Sequence, residues 1–311
     1  MDSLTFQADD GVTIHYYRWL PTATPVATIQ IAHGMGEHAT RYDWVAGRLT
    51  AAGYAVYAND LRGHGQTAQT GTYGDLGEDG WNRSIVDAST LQQLINAAYP
   101  TQPRVLLGHS MGAMLTQQYL TRFADGLDAA VLSGSPGFSS RVQLWISYTI
   151  ARFESWRLGF SGESALLDKL IFGNANNEFT NQGTTGFEWL SRDTKQVQAY
   201  ASDPLCGFVL RAGSLRNLFT GAREACKQKN IKRIPSTLPI YIFSGGDDPV
   251  HDGEKGLDRL LTSYRAQVHK VDYRLYREGR HEMFNELNRQ TVVDDLLEWL
   301  KLNLPVSASQ A

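Results

Sequence analysis

The stretch Val105-Leu106-Leu107-Gly108-His109-Ser110-Met111-Gly112-Ala113-Met114 joins an apolar run to a helix-forming run through a G-x-S-x-G turn. Such a turn holds a serine in a strained conformation at the tip of a strand, with Oγ exposed at the start of a helix. Crowding there calls for small residues two positions to either side. Gly108 and Gly112 occupy those positions. The five-residue pattern also arises by chance, so the strand before it and the helix after it carry much of the weight. The stretch predicts a strand over 104–108, a nucleophile elbow at Ser110 and a helix over 111–123.

Working outward, residues 4–8 and 12–20 alternate with period two around Asp9-Asp10-Gly11, the pattern of an antiparallel hairpin. Residues 27–32 form a short apolar run that breaks into His33-Gly34-Met35-Gly36. A helix over 41–52, a strand over 54–58, the loop Asn59-Asp60-Leu61-Arg62-Gly63-His64-Gly65, a helix over 81–98 and a strand over 127–133 complete the first part. Strands and helices alternate with short connections, as in a parallel sheet wrapped by helices.

The rhythm breaks over 135–235, where Trp, Phe, Tyr and Leu recur at helical spacing, which predicts a helical insertion. Its clearest segment is 142–160, with Leu144, Trp145, Tyr148, Ile150, Phe153 and Trp156 along one broad stripe. Packing within the insertion is the expected role of the stripe, and contact with a membrane surface is the alternative. Strand and helix then resume at 239–243, 256–264, 268–276 and 292–302, and a short polar tail after Pro305 is expected to fray.

The chain has 311 residues, 42% hydrophobic and 20% charged, with a formal charge of −3. It has the composition of an ordinary globular protein, with no basic excess to attract nucleic acid. Cys206 and Cys226 cannot make a disulfide framework and are expected to be reduced, partly buried thiols. The N-terminal residues lack a signal-peptide pattern and no window reaches the length of a membrane span, so a cytoplasmic location is expected. His33, His38, His64 and His109 lack zinc-ligand spacing, and neither a metal nor an organic cofactor is expected.

An elbow serine needs a base, the base an orienting acid, and the oxyanion two donors. Asp248, in Ser244-Gly245-Gly246-Asp247-Asp248-Pro249-Val250, is the candidate acid, with Asp247 beside it as the other carboxylate available. His281, in Gly279-Arg280-His281-Glu282, is the candidate base. The order Ser, Asp, His along the chain differs from that of chymotrypsin-like and subtilisin-like enzymes. The N–H groups of Met111 and Met35 are the candidate oxyanion donors. Gly34, Glu37 and His109 are candidate substrate contacts, although Glu37 and His38 fit a loop-stabilising role equally well.

Taken in order, His33-Gly34-Met35-Gly36-Glu37-His38 with Arg41-Tyr42, Asp60-Leu61-Arg62-Gly63-His64-Gly65, Gly108-His109-Ser110-Met111-Gly112, Asp248-Pro249-Val250 and Gly279-Arg280-His281-Glu282 span nearly the whole chain. The set resembles the α/β-hydrolases of the monoacylglycerol lipase and lysophospholipase-like group, which have serine-aminopeptidase-type cores. The resemblance implies an α/β fold with a mostly parallel sheet of about eight strands and flanking helices. It also implies a helical cap between the sixth and seventh strands that covers an acyl-binding tunnel. The expected division is a core of 1–134 and 236–311 with a cap of 135–235. The expected activity is hydrolysis of a carboxylic ester with an apolar acyl chain, a monoacylglycerol or lysophospholipid, through an acyl-enzyme. Two alternatives stay open: an amide-cleaving relative of the proline iminopeptidase kind, for which Glu154, Glu163 and Glu188 are available as acidic anchors, and a non-catalytic fold that binds a hydrophobic ligand or protein partner.

Overall fold

The computed structural model describes residues 1–68, 72–251 and 254–305; the tail expected to fray lies outside them. The strands are β1 (Asp2–Gln7), β2 (Thr13–Trp19), β3 (Ala27–Ala32), β4 (Tyr54–Asn59), β5 (Arg104–His109), β6 (Ala129–Ser133), β7 (Ile240–Gly245) and β8 (Val271–Tyr276). They make one sheet in the order β1-β2-β4-β3-β5-β6-β7-β8. The β1–β2 and β2–β4 pairs are antiparallel and all others parallel. This is the α/β-hydrolase architecture that the resemblance implies.

Burial explains the difference in sequence pattern between strands. Every residue of β3, β4, β6 and β7, and every residue of β5 after Arg104, is buried, because helices cover both faces and no alternation is required. Edge strand β1 keeps the period-two alternation. Helices α1 (Asp43–Ala51), α2 (Gly80–Ala98) and α3 (Met111–Phe123) follow β3, β4 and β5. Between β6 and β7 lie α4 (Arg141–Leu158), α5 (Ala165–Phe172), α6 (Thr194–Ser202), α7 (Ala212–Ala225) and α8 (Gln228–Ile231), and no strand occurs there among the described residues. Helices α9 (Lys255–Arg265) and α10 (Arg289–Asn303) flank β8 in sequence. One core face gathers Leu106, Leu115, Ile240 and Leu260, and the other Ile29, Val56, Val131 and Leu296.

Helix α7 packs against α2 and α3, and its Leu215 and Leu218 join the first of these cores. Gly221 on α7 permits this approach, because a Cβ there would lie 2.0 Å from the Trp81 indole nitrogen. Helix α4 corrects the packing role expected for the 142–160 stripe. Its buried residues are Leu144, Ala151, Glu154 and Ser155, whereas Trp145, Phe153 and Trp156 are exposed. The helix lies against α7, with Ile150 packed on the core and the Tyr148 ring under the Arg223 guanidinium of α7, and this leaves Trp145, Phe153 and Trp156 facing outward.

Candidate active site

Strand β5 ends in the elbow, where Ser110 has φ 53° and ψ −115°, a region that non-glycine residues rarely occupy. The flanking glycines are demanded by contact. A Cβ on Gly108 would lie 2.3 Å from the Gly112 carbonyl oxygen, and one on Gly112 would lie 2.0 Å from that of Ala32. The turn therefore brings α3 against the end of β3, beside the His33–Gly36 turn. Ser110 N–H donates to Ser133 O at 2.9 Å, which ties the elbow to β6.

Ser110, His281 and Asp248 come together from the ends of β5, β8 and β7. His281 Nε2 lies 2.9 Å from Ser110 Oγ, and His281 Nδ1 lies 2.9 Å from Asp248 Oδ2. Asp247 is exposed and its side chain takes no part in this chain. Asp248 also accepts from Ser244 Oγ and the Val250 N–H. Burial works against its ionised form, but His281, His251 and that N–H outweigh burial and hold the carboxyl below its ordinary range. For His281 burial disfavours the imidazolium, yet Asp248, with Glu282 and Glu37, raises it above the ordinary imidazole range. Trp189, from the segment between α5 and α6, lies over the His281 ring with centroids 5.0 Å apart.

Met111 opens α3 and Met35 sits in the turn after β3. Among the described residues neither N–H has a protein acceptor. The turn around Met35 is buttressed by neutral histidines. Burial lowers His33 to about 4 and His64 to about 3. His33 Nε2 accepts from Leu61 N–H, and its Nδ1 faces Gly34 O at 2.8 Å. His64 Nε2 accepts from Gly36 N–H, and its Nδ1 faces Arg62 O. This is the work of the Asp60–Gly65 loop beside the elbow.

Two cavities meet at Ser110, Met35 and Phe172. One, of about 340 Å³, has Met114, Leu144, Ile171, Leu215, Leu218 and Phe219 among its walls. The other, of about 420 Å³, is more polar and includes Gly34, Glu37, His109, Lys169, Tyr200 and Glu282. Glu37 already has partners within the protein: Oε1 accepts from Gly34 N–H and Tyr42 Oη–H, and Oε2 from Arg41. His109 is buried and faces Ser133 Oγ at 3.3 Å, and burial followed by His281 lowers it to about 4. Phe172, Trp189 and Tyr200 are wall residues that no local pattern marked. Their only signal is the interleaving of aromatic residues in the insertion.

The acids available as amine anchors are engaged elsewhere. Glu154 binds Arg157 and Ser164, Glu163 binds Arg211, and Glu188 accepts from Thr185, Gly186 and Asn176. None of the three lines either cavity. Among the described residues one set, His38, Asp203 and Cys206, brings its ligand atoms within 4.8 Å of one another. His38 is hydrogen-bonded through both nitrogens, to Thr40 and Asp203, and burial pushes the Cys206 thiol up, away from the thiolate a metal takes. Among the described residues no helix is long and apolar enough to cross a membrane.

The monoacylglycerol lipase of Mycolicibacterium smegmatis is 29% identical over 304 residues, which cover 96% of this chain and 97% of that relative. A monoglyceride lipase homolog of Monkeypox virus is 34% identical over 299 residues, covering 94% and 95%. A thermostable carboxyl esterase from Bacillus coagulans, solved in complex with glycerol, superposes with a TM-score of 0.88 at 26% identity over 97% of this chain and 98% of that one. The family model described as Hydrolase_4, serine aminopeptidase S33, matches residues 23–288, and the chain belongs to that α/β-hydrolase family.

Proposed function

We propose that the protein is a serine hydrolase that cleaves carboxylic esters with an apolar acyl chain, of the monoacylglycerol or lysophospholipid kind. The observation that carries the reading is Ser110 Oγ, within 2.9 Å of His281 Nε2 at the junction of an apolar and a more polar cavity. Ser110 Oγ attacks the ester carbonyl as its proton passes to His281 Nε2. Asp248 fixes the tautomer and stabilises the imidazolium. The Met35 and Met111 N–H groups receive the oxyanion, each contributing about 2.7–4 kcal/mol in the transition state. The carbon–oxygen bond to the alcohol then breaks, and His281 returns the proton to the departing oxygen. Water repeats the sequence on the acyl-enzyme and releases the acid.

The apolar cavity suits the acyl chain, whose affinity comes from burial, and the second cavity suits the alcohol portion. Residues 1–134 and 236–311 serve as the core and 135–235 as the cap. The similarity to monoacylglycerol lipases supports the lipid-like ester, and the engagement of Glu154, Glu163 and Glu188 speaks against the amine-anchored alternative. Trp145, Ile146, Phe153 and Trp156 on α4 and Leu166 and Leu170 on α5 are exposed, and Leu170 also lines the acyl cavity. An apolar surface at a lipid cavity supports transient contact of the cap with a membrane surface.

The test is labelling by a fluorophosphonate probe together with turnover on acyl chains of graded length carrying glycerol, phosphocholine or aminoacyl-amide partners. The expected result is labelling that Ser110→Ala abolishes, with kcat lowered by about 10⁴–10⁶. An unlabelled wild type, or turnover of aminoacyl amides alone, overturns the reading.

A further inference from the structure

Behind the second cavity, Glu37 and Arg41, four residues apart, form a buried ionic group with the distant Glu282. Arg41 Nη1 donates to Glu37 Oε2 at 2.5 Å and to Glu282 Oε1 at 2.7 Å, and Arg41 Nη2 donates to Glu282 Oε2 at 2.7 Å. The Arg41, Glu37 and Glu282 side chains are 10%, 3% and 8% exposed. Each end of the group reaches a part of the catalytic apparatus. Glu37 accepts the Gly34 N–H at 2.6 Å, one residue before the Met35 donor, and Glu282 directly follows His281. The face of the Arg41 guanidinium lies over the Tyr200 ring of α6, 4.7 Å from its centroid. Asn285 Nδ2 supports Glu282 at 2.8 Å.

Resting on the serine-hydrolase reading above, we propose that Arg41 is a positioning residue. It clamps the loop that carries the base to the turn that carries the oxyanion donor, through Glu282 on one side and Glu37 on the other.

The chemistry favours geometry over stability as the role. A buried ion group often adds little to stability compared with apolar residues of the same volume, because desolvation offsets the attraction. A planar guanidinium with two parallel bonds to one carboxylate does, however, fix distance and angle in a way that an ammonium cannot. His281 Nε2 and the Met35 N–H must act on the same reacting carbon and oxygen, and they lie on different loops. An error of about 1 Å between such groups costs about 10²-fold in rate. The clamp spans this gap with three short charge-assisted bonds.

The experiment compares Arg41→Lys, Glu282→Gln, Glu282→Asp and the double variant Arg41→Lys/Glu282→Gln, with rates normalised to Ser110 sites titrated by the fluorophosphonate. The expected outcome is a fall in kcat of about 10–100-fold for each single variant, with KM changed by less than about threefold. The double variant falls no further than the worse single one, because both break the same unit. The acid limb adds a second readout. The groups facing His281 are Asp248 after β7, Glu37 after β3, His109 on β5 and Glu282 itself. Glu282→Gln removes one negative charge and moves the limb to lower pH, whereas Glu282→Asp keeps the charge and leaves the limb in place while kcat falls. Full kcat per titrated site with an unmoved limb in Glu282→Gln, or losses that add in the double variant, overturns the clamp. A wild type that the probe does not label overturns the serine-hydrolase reading instead.

Discussion

Trp145 and Trp156 project from α4 with 59% and 79% of their surface exposed. With about 250 Å² per indole, the pair presents about 350 Å² of aromatic surface to solvent. At about 25 cal/mol per Å², complete burial is worth about 9 kcal/mol, and insertion of half that surface about 4 kcal/mol, or three decades in partitioning. Trp145→Ser/Trp156→Ser removes this surface without touching the residues that α4 buries, which are Leu144, Ala151, Glu154 and Ser155. The double variant is therefore expected to keep its thermal midpoint and its turnover of a short, water-soluble ester, while binding to zwitterionic vesicles falls by about 10²–10³-fold. Flotation of vesicles measures the partitioning, and hydrolysis of vesicle-borne against soluble ester measures the consequence. Vesicle binding equal to that of wild type refutes the proposed membrane contact of the cap.

Three further outcomes are expected. His281 must be neutral to accept the Ser110 proton, and Asp248 raises it, so kcat/KM climbs with pH through a midpoint above about 6.5; a profile flat from pH 5 to 8 counts against His281 as base. Gly112→Ala forces a methyl group against Ala32 O, and calorimetry should show a loss of about 1–3 kcal/mol, whereas Gly47→Ala, on an exposed helical site with nothing within 4 Å, gains up to about 1 kcal/mol. Ala222→Phe fills the apolar cavity from α7 and is expected to shift the chain-length optimum toward shorter acyl groups without slowing a small fluorophosphonate; an unchanged optimum places the acyl chain elsewhere.

What was legible in the sequence was what short-range chemistry dictates. A Cβ on Gly108 would lie 2.3 Å from Gly112 O within the elbow itself, so that glycine carries its own local reason, whereas Gly112 is required by a 2.0 Å approach to Ala32 O at the end of β3 and is marked in the sequence by the motif alone. The serine, acid and base could be placed because each follows a strand, and strand ends in a parallel sheet converge on one edge. Long-range contacts left no such trace. Arg41 and Glu282 are 241 residues apart, and neither residue type at its position announces the partner. The α4 stripe shows a different shortfall: its period reveals that one side is apolar, but the medium facing that side depends on where α7 packs. Leu215 and Leu218 of α7 likewise belong to the common core and line the apolar cavity together, a double role that no local pattern announces.

The histidines around the Met35 turn have a consequence for acid tolerance that is separate from turnover. His33, His64 and His109 remain uncharged in the folded chain down to about 4, 3 and 4, whereas an unfolded chain takes up those protons near 6.5. Between these limits the unfolded form binds more protons, so the stability these residues contribute is whole above about pH 6.5 and drains away as acidity increases toward pH 4. The imidazoles that hold the turn by accepting N–H bonds would lose that ability once protonated. Acidification thus loosens the Met35 turn from within, and the pH at which this scaffold yields is written into its buttress as well as into His281.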